Sequence, residues 1–78
     1  MTKTEQKELA TALKHLSNAK GIVESLLQSA QDRIEGKSDK WLESEKGEAA
    51  QSQLSALESA FEALENADAE LASVQELD

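Results

Sequence analysis

Residues 9–34 read LATALKHLSNAKGIVESLLQSAQDRI, with apolar residues at alternating intervals of four and three. Residues 50–71 read AQSQLSALESAFEALENADAEL and repeat this spacing. Such intervals place the residues on one side of an α-helix, as in a coiled coil, so the sequence predicts two long amphipathic helices. The positions of this spacing, called the seam below, are Leu9, Leu13, Leu16, Lys20, Val23, Leu27, Ala30 and Ile34, then Ala50, Leu54, Leu57, Phe61, Leu64, Asp68 and Leu71.

The two patterns are nearly equal in length and are separated by a short break. We predict helix 1 over about 4–35, a connection over about 36–43 and helix 2 over about 44–76. A helix of about 32 residues is roughly 48 Å long. Equal helices joined by a short connection favour an all-α fold, a single domain that forms an antiparallel two-helix hairpin over residues 1–78.

Local signals mark the ends of these helices. Thr2 and Glu5 have the spacing of a capping box, and Gly36 is typical of the position that follows a helix C-terminus. Ser44 is the preferred N-cap of helix 2, whereas Ser38 is an alternative start for a short helical turn inside the connection. The connection is therefore either a loop or a loop with one helical turn.

A second apolar ridge runs beside the seam of helix 2. Ala60, Ala67 and Val74 form it, and Leu26 broadens the seam of helix 1 in the same way. One partner helix does not cover so broad a stripe, and small domains without disulfides or metals rarely gain more than roughly 3–5 kcal/mol from one core. We therefore expect a homodimer that forms a four-helix bundle.

The charge of the chain is unevenly distributed. The formal net charge is −8, and residues 41–78 hold ten acidic residues against the single basic residue Lys46. An acidic surface repels polyanions, so direct binding to nucleic acid or to an anionic membrane is disfavoured. A basic protein partner is compatible with this surface, because complementary charge steers association.

Composition narrows the classes of function further. The chain has no cysteine and one histidine, His15, which excludes disulfides and thiolate zinc sites. No catalytic spacing surrounds His15, so we expect no enzyme activity, cofactor or metal. No apolar run reaches the roughly 18–20 residues that cross a bilayer, and residues 1–5 lack the apolar segment of a signal peptide. We predict a cytoplasmic protein.

Six residues are candidates for contact with a partner. An exposed tryptophan is typical of a binding hot spot, although Trp41 also fits a cap over the end of the helix pair. A row of carboxylates on helix 2 is either a partner-binding strip, a solvated face or, since carboxylates bind metals in helical bundles, a cation site. The candidates are Trp41, Glu58, Glu62, Glu65, Asp68 and Glu70.

Two polar residues interrupt the seam. If the helices turn back near residues 39–40, Lys20 is expected opposite Glu58 or Glu62, and Asp68 opposite Ala12. A polar seam residue sets the register and the oligomeric state at a cost in stability. The alternative is that each side chain extends to the rim of the interface.

The stretch WLESEKGEAA, residues 41–50, combines an apolar pair with a Ser-acidic-basic-Gly-Glu turn that opens a helix. Together with the leucine-rich acidic repeats that follow, it resembles short acidic helical-hairpin proteins of unknown function from phage and prophage reading frames. The resemblance covers roughly residues 34–78. It implies a phage or mobile-element origin and no catalytic residues.

Two hypotheses for function follow from these patterns. The first is a non-enzymatic helical protein that acts by protein–protein interaction and associates with itself. The second is an acidic inhibitor that imitates nucleic acid and blocks a basic host protein, as some anti-defence proteins do. Salt separates them, because charge mimicry weakens steeply with ionic strength whereas apolar pairing does not.

Overall fold

The computed structural model describes residues 1–77, and the all-α prediction is confirmed. The chain forms α1 (Lys3–Ile34), α2 (Asp39–Glu43) and α3 (Glu45–Leu77), with no strand among the described residues. The long helices, of 32 and 33 residues, differ by one residue at each end from the predicted bounds of 4–35 and 44–76. They lie together as an extended pair, and the molecule measures 58 × 15 × 15 Å.

Helices α1 and α3 contact each other through the seam. Every seam residue of both helices is buried or half-buried, whereas most residues outside it are exposed. Lys20 lies against Asp68 and Leu26 shares a groove with Ala60, so later residues of α1 meet earlier residues of α3. The alternating four–three spacing therefore identified the contact surface of both helices.

The predicted capping signals are present at the ends of α1. Thr2 Oγ1 accepts a hydrogen bond from the Glu5 backbone N–H at 3.1 Å, and Glu5 Oε1 accepts one from the Thr2 backbone N–H at 2.9 Å. Gly36 follows the C-cap of α1 and has φ of +80°. Glycine adopts this left-handed backbone without the steric penalty of a Cβ atom, so α1 ends here.

The predicted connection over 36–43 is wrong in part, because residues 39–43 form the short helix α2. Ser38 caps α2 through its Oγ, which accepts a hydrogen bond from the Trp41 N–H at 3.2 Å. Ser44 ends α2 and also accepts the Gly47 N–H at its Oγ, 3.2 Å away, at the start of α3. Both serines therefore act as N-caps: Ser38 begins the short helix inside the connection, and Ser44 begins the long helix α3.

Backbone packing at Gly47 attaches α2 to α3. Gly47 is buried, and a Cβ atom built on it would lie 2.6 Å from Leu42 Cα and 2.7 Å from Leu42 O, and would also meet the carbonyl of Trp41. Gln51 Nε2 adds hydrogen bonds to Leu42 O at 2.9 Å and to Gly47 O at 3.2 Å. Only a glycine fits at this position with α2 where it is.

The predicted register of the helix pair is wrong by several residues. Lys20 Nζ lies 3.8 Å from Asp68 Oδ2, rather than opposite Glu58 or Glu62. The midpoint between Lys20 and Asp68 is residue 44, not residues 39–40. The formation of α2 is the reason, because α2 packs against the first turns of α3 at Gly47 and Gln51, and α1 therefore meets α3 further towards the C-terminus.

Candidate functional site

The molecule has almost no interior of its own. Among residues 1–77, only Ala30 and Gly47 are buried, and no large side chain is fully covered. Several large apolar side chains are instead well exposed: Ile22 is 64% exposed, Leu26 48% and Val74 42%. Exposed apolar side chains that cluster, rather than occur singly, mark interaction surfaces.

Helical periodicity places these side chains on one flank of the helix pair. Leu26 and Ala30 of α1 line a shallow groove with Ala56, Leu57 and Ala60 of α3. The flank extends along both helices because its residues recur every seven positions, which keeps them on one side of each helix. We call this flank the apolar face, and its residues are Ala12, Ala19, Ile22 and Leu26 of α1 with Ala56, Ala60, Ala63, Ala67 and Val74 of α3.

The sequence identified most of this face and missed Ile22. Leu26, Ala60, Ala67 and Val74 were expected to broaden the seam, and Ala60, Leu26 and Val74 are exposed. Ile22 stands outside the four–three spacing of the seam. The available signal was its position four residues before Leu26, which places both on the same side of α1.

The six predicted partner-binding residues do not share one surface. Glu58, Glu62 and Glu65 are exposed and lie at intervals of four and three on one side of α3. None of them has an ion-pair partner among the described residues. These three carboxylates, called the acidic strip below, lie on the flank of α3 opposite the apolar face, because they follow the seam positions Leu57, Phe61 and Leu64 by one residue.

Asp68 and Glu70 are separate from this strip. Asp68 is a half-buried seam residue that faces α1 and pairs with Lys20. Glu70 is exposed but lies five residues after Glu65, which turns it about 140° around the helix, towards the apolar face. Sequence position alone grouped them with the acidic strip, whereas the helix geometry separates them.

Trp41 lies at the α2 end of the molecule among basic side chains. It is half-buried and lines a pocket with Arg33, Lys37 and Lys46. Lys37 Nζ lies 5.1 Å from the centre of the Trp41 ring, which is a cation–π distance. We call these three cations and Trp41 the basic corner. The sequence analysis did not predict it, although Arg33 continues the seven-residue series of Ala12, Ala19 and Leu26.

Within residues 1–77 no three side chains of the His, Cys, Asp or Glu type come together as ligands for a metal ion. His15 is exposed on α1. Neither long helix has a stretch apolar enough to cross a bilayer.

Comparison with protein-family models, curated proteins and solved structures found no match to this chain.

The ion pair in the seam yields a prediction about stability. Lys20 and Asp68 occupy positions that apolar residues fill elsewhere in the seam, and their side chains are 28% and 37% exposed. A partly exposed ion pair contributes only about 0–1 kcal/mol, whereas apolar side chains at seam positions bury surface against the facing helix. We expect the double variant Lys20→Leu/Asp68→Leu to raise the free energy of unfolding by about 1–2 kcal/mol in urea titrations.

The single variant Lys20→Leu is the matched control. It leaves the Asp68 carboxylate without its partner, so its stability is expected to fall below that of the double variant. A double variant less stable than the wild-type protein would show that the ion pair contributes net stability.

Proposed function

We propose that this chain is a non-enzymatic protein–protein interaction module, an antiparallel helical hairpin that dimerises into a four-helix bundle through its apolar face. The observation that carries this proposal is the exposure of Ile22, Leu26 and Val74 on one flank of a molecule with no large buried side chain. Burial of apolar surface is the main favourable term in both folding and association. A second helix pair on this flank supplies the missing core.

The surface area of the chain supports the same proposal. A compact monomer of this mass exposes about 4,700 Å², whereas this chain exposes 5909 Å². The excess of about 1,200 Å² exceeds the roughly 800 Å² that each partner contributes to a standard interface. Dimerisation therefore brings the exposed area per chain into the range of ordinary globular proteins.

Sedimentation equilibrium tests this function. We expect the chain to sediment as a dimer at micromolar concentration, at both low and high salt, because burial of apolar surface does not depend on screening. Helicity measured by circular dichroism should fall on dilution, since the separated hairpin has little core. A fully helical monomer at high micromolar concentration would contradict the proposal.

The acidic strip supports a second candidate function. Glu58, Glu62 and Glu65 are exposed and unpaired within the described residues, and they lie away from the apolar face. In the proposed dimer they stay accessible, where they would block a basic protein as a nucleic-acid mimic does. Affinity capture at two salt concentrations separates the candidates, because a partner held by this strip dissociates at high salt.

We propose that the protein acts in the cytoplasm. If its origin is a phage or another mobile element, as predicted, this is the cytoplasm of the host. The origin stays a prediction from the resemblance over residues 34–78. A basic host protein bound through the acidic strip and a second copy bound through the apolar face are compatible, because the two surfaces lie on opposite flanks.

A further inference from the structure

The charges that border the apolar face have opposite signs at its two ends. At the α2 end, the basic corner contributes Arg33, Lys37 and Lys46, which line one pocket beside Trp41. None of the three has an acidic partner within ion-pair distance among the described residues. This end of the face therefore presents three cations without an ion-pair partner, on a chain whose net charge is −8.

The opposite end of the face carries acidic residues. Glu70 lies three residues after Ala67 and four before Val74, so it shares their side of α3. Glu8 lies four residues before Ala12 and shares its side of α1 in the same way. Both carboxylates are exposed. The apolar face is thus flanked by positive charge at one end and by negative charge at the other.

We propose that two copies dock on the apolar face in opposite orientations, so that the basic corner of each lies against the acidic end of the other. This inference rests on the self-association proposed above. The reverse arrangement brings two basic corners together and two acidic ends together, and such like-charge contacts are strongly unfavourable. Charge sets the orientation, while the apolar residues supply the affinity.

The positions of the charges also locate the symmetry axis. In the register of the helix pair, Glu70 lies level with residues 16–18 of α1, because Lys20 is level with Asp68 and Leu26 with Ala60. A two-fold axis that crosses the face lays each helix over its own copy, so Arg33 faces Glu8 and Lys46 faces Glu70. Residues 20–21 are midway between the α1 pair, and residue 58, which is level with residues 28–30 of α1, is midway between the α3 pair. The axis therefore passes close to Leu26. The Leu26 side chains of both copies then meet at the centre of the face.

The groove beside Leu26 suits this arrangement. Ala56 and Ala60 form its α3 wall, and both are small residues that leave room for a side chain from another helix. A leucine that enters such a groove is the knob-into-hole contact of helical bundles. The centre of the face therefore has complementary shape, and its two ends have complementary charge.

Disulfide cross-linking tests the orientation directly, because the natural chain contains no cysteine. Ala49→Cys lies at the α2 end of the face and Val74→Cys near the other end, about 38 Å apart along the helix axis at 1.5 Å per residue. We expect an oxidised mixture of the two variants to give the mixed dimer. Each variant alone should remain uncross-linked, because a disulfide requires Cα atoms within about 7 Å.

Two further variants serve as controls. Ala63→Cys lies near the proposed axis, where α3 lies over α3 of the other copy, and should cross-link to itself. Ser55→Cys lies on the opposite flank of α3 and should cross-link only at the level of random collision. A wild-type chain that sediments as a dimer, together with no mixed dimer from the Ala49→Cys and Val74→Cys mixture, would overturn the proposed orientation and leave the self-association intact.

Failure of the self-association itself has a separate signature. If Ala63→Cys does not cross-link and the wild-type chain sediments as a monomer, then both the dimer and its orientation are wrong. If the wild-type chain sediments as a dimer while Ala63→Cys stays uncross-linked, α3 does not lie over α3 of the other copy, and the proposed orientation is overturned.

Discussion

Gly47→Ala is expected to detach α2 from α3 and to destabilise the protein by about 3 kcal/mol, at the upper end of the range for overpacked sites. The added methyl group would overlap the Leu42 backbone, with Leu42 Cα 2.6 Å and Leu42 O 2.7 Å away. Backbone atoms in a capped helix do not yield as a flexible side chain does. Because the free energy of unfolding of a small domain is only a few kcal/mol, this change is expected to destabilise the whole fold.

Urea unfolding and tryptophan fluorescence measure the effect. Trp41 is the sole tryptophan and sits in α2, so its emission should shift to longer wavelength when α2 separates and the ring becomes hydrated. Gly21→Ala is the matched control, because Gly21 is also helical but has no atom within 4 Å of the added Cβ. It should stabilise the protein by about 1 kcal/mol.

The difference in stability between Gly47→Ala and Gly21→Ala tests the packing of α2 on α3. If Gly47→Ala were as stable as Gly21→Ala, the close packing of α2 on α3 would not contribute to the fold. If Gly21→Ala were destabilising, a hidden contact at Gly21 would have to exist, for example with a second chain.

Leu26→Lys is expected to abolish dimerisation, with the dissociation constant raised about 100-fold, or about 3 kcal/mol. Leu26 is 48% exposed on the isolated chain and lies at the centre of the apolar face. A lysine there removes apolar burial and, in the proposed symmetric dimer, places two ammonium groups together without partners. Sedimentation velocity over a concentration series measures the shift from dimer to monomer.

Gln28→Lys is the control for added charge. Gln28 is exposed two residues after Leu26, and its side chain points about 200° away around α1, on the flank opposite the apolar face. This variant adds the same charge near the same helix turn and should leave the dimer intact. Equal weakening by both variants would point to a general charge effect, and no weakening by Leu26→Lys would remove the apolar face as the interface.

Much of the fold was predictable because its signals are local. The capping box of Thr2 and Glu5 and the left-handed residue Gly36 depend only on neighbouring residues, and both occur where the sequence placed them. The seam depends on helical periodicity, and every predicted seam residue is shielded to some degree. These features need no knowledge of the partner helix.

The candidate site was less predictable because it depends on the side of the helix on which a residue lies, as well as on its place in the sequence. The sequence grouped Asp68 and Glu70 with Glu58, Glu62 and Glu65 by their closeness along the chain. Helix geometry places Asp68 in the seam against Lys20 and turns Glu70 towards the apolar face. The basic corner escaped notice because Lys46 comes near Arg33, Lys37 and Trp41 only when α3 packs beside α1 and α2.

The sequence by itself determined the all-α class, the ends of the long helices, the residues of their contact surface and the strong acidity of the second half. Each of these follows from periodicity, capping or composition. Only the tertiary structure decided that α2 forms, that Gly47 must be a glycine and that Lys20 pairs with Asp68. The physical reason is that α2 packs against the start of α3, and this packing sets which residues of α1 and α3 meet.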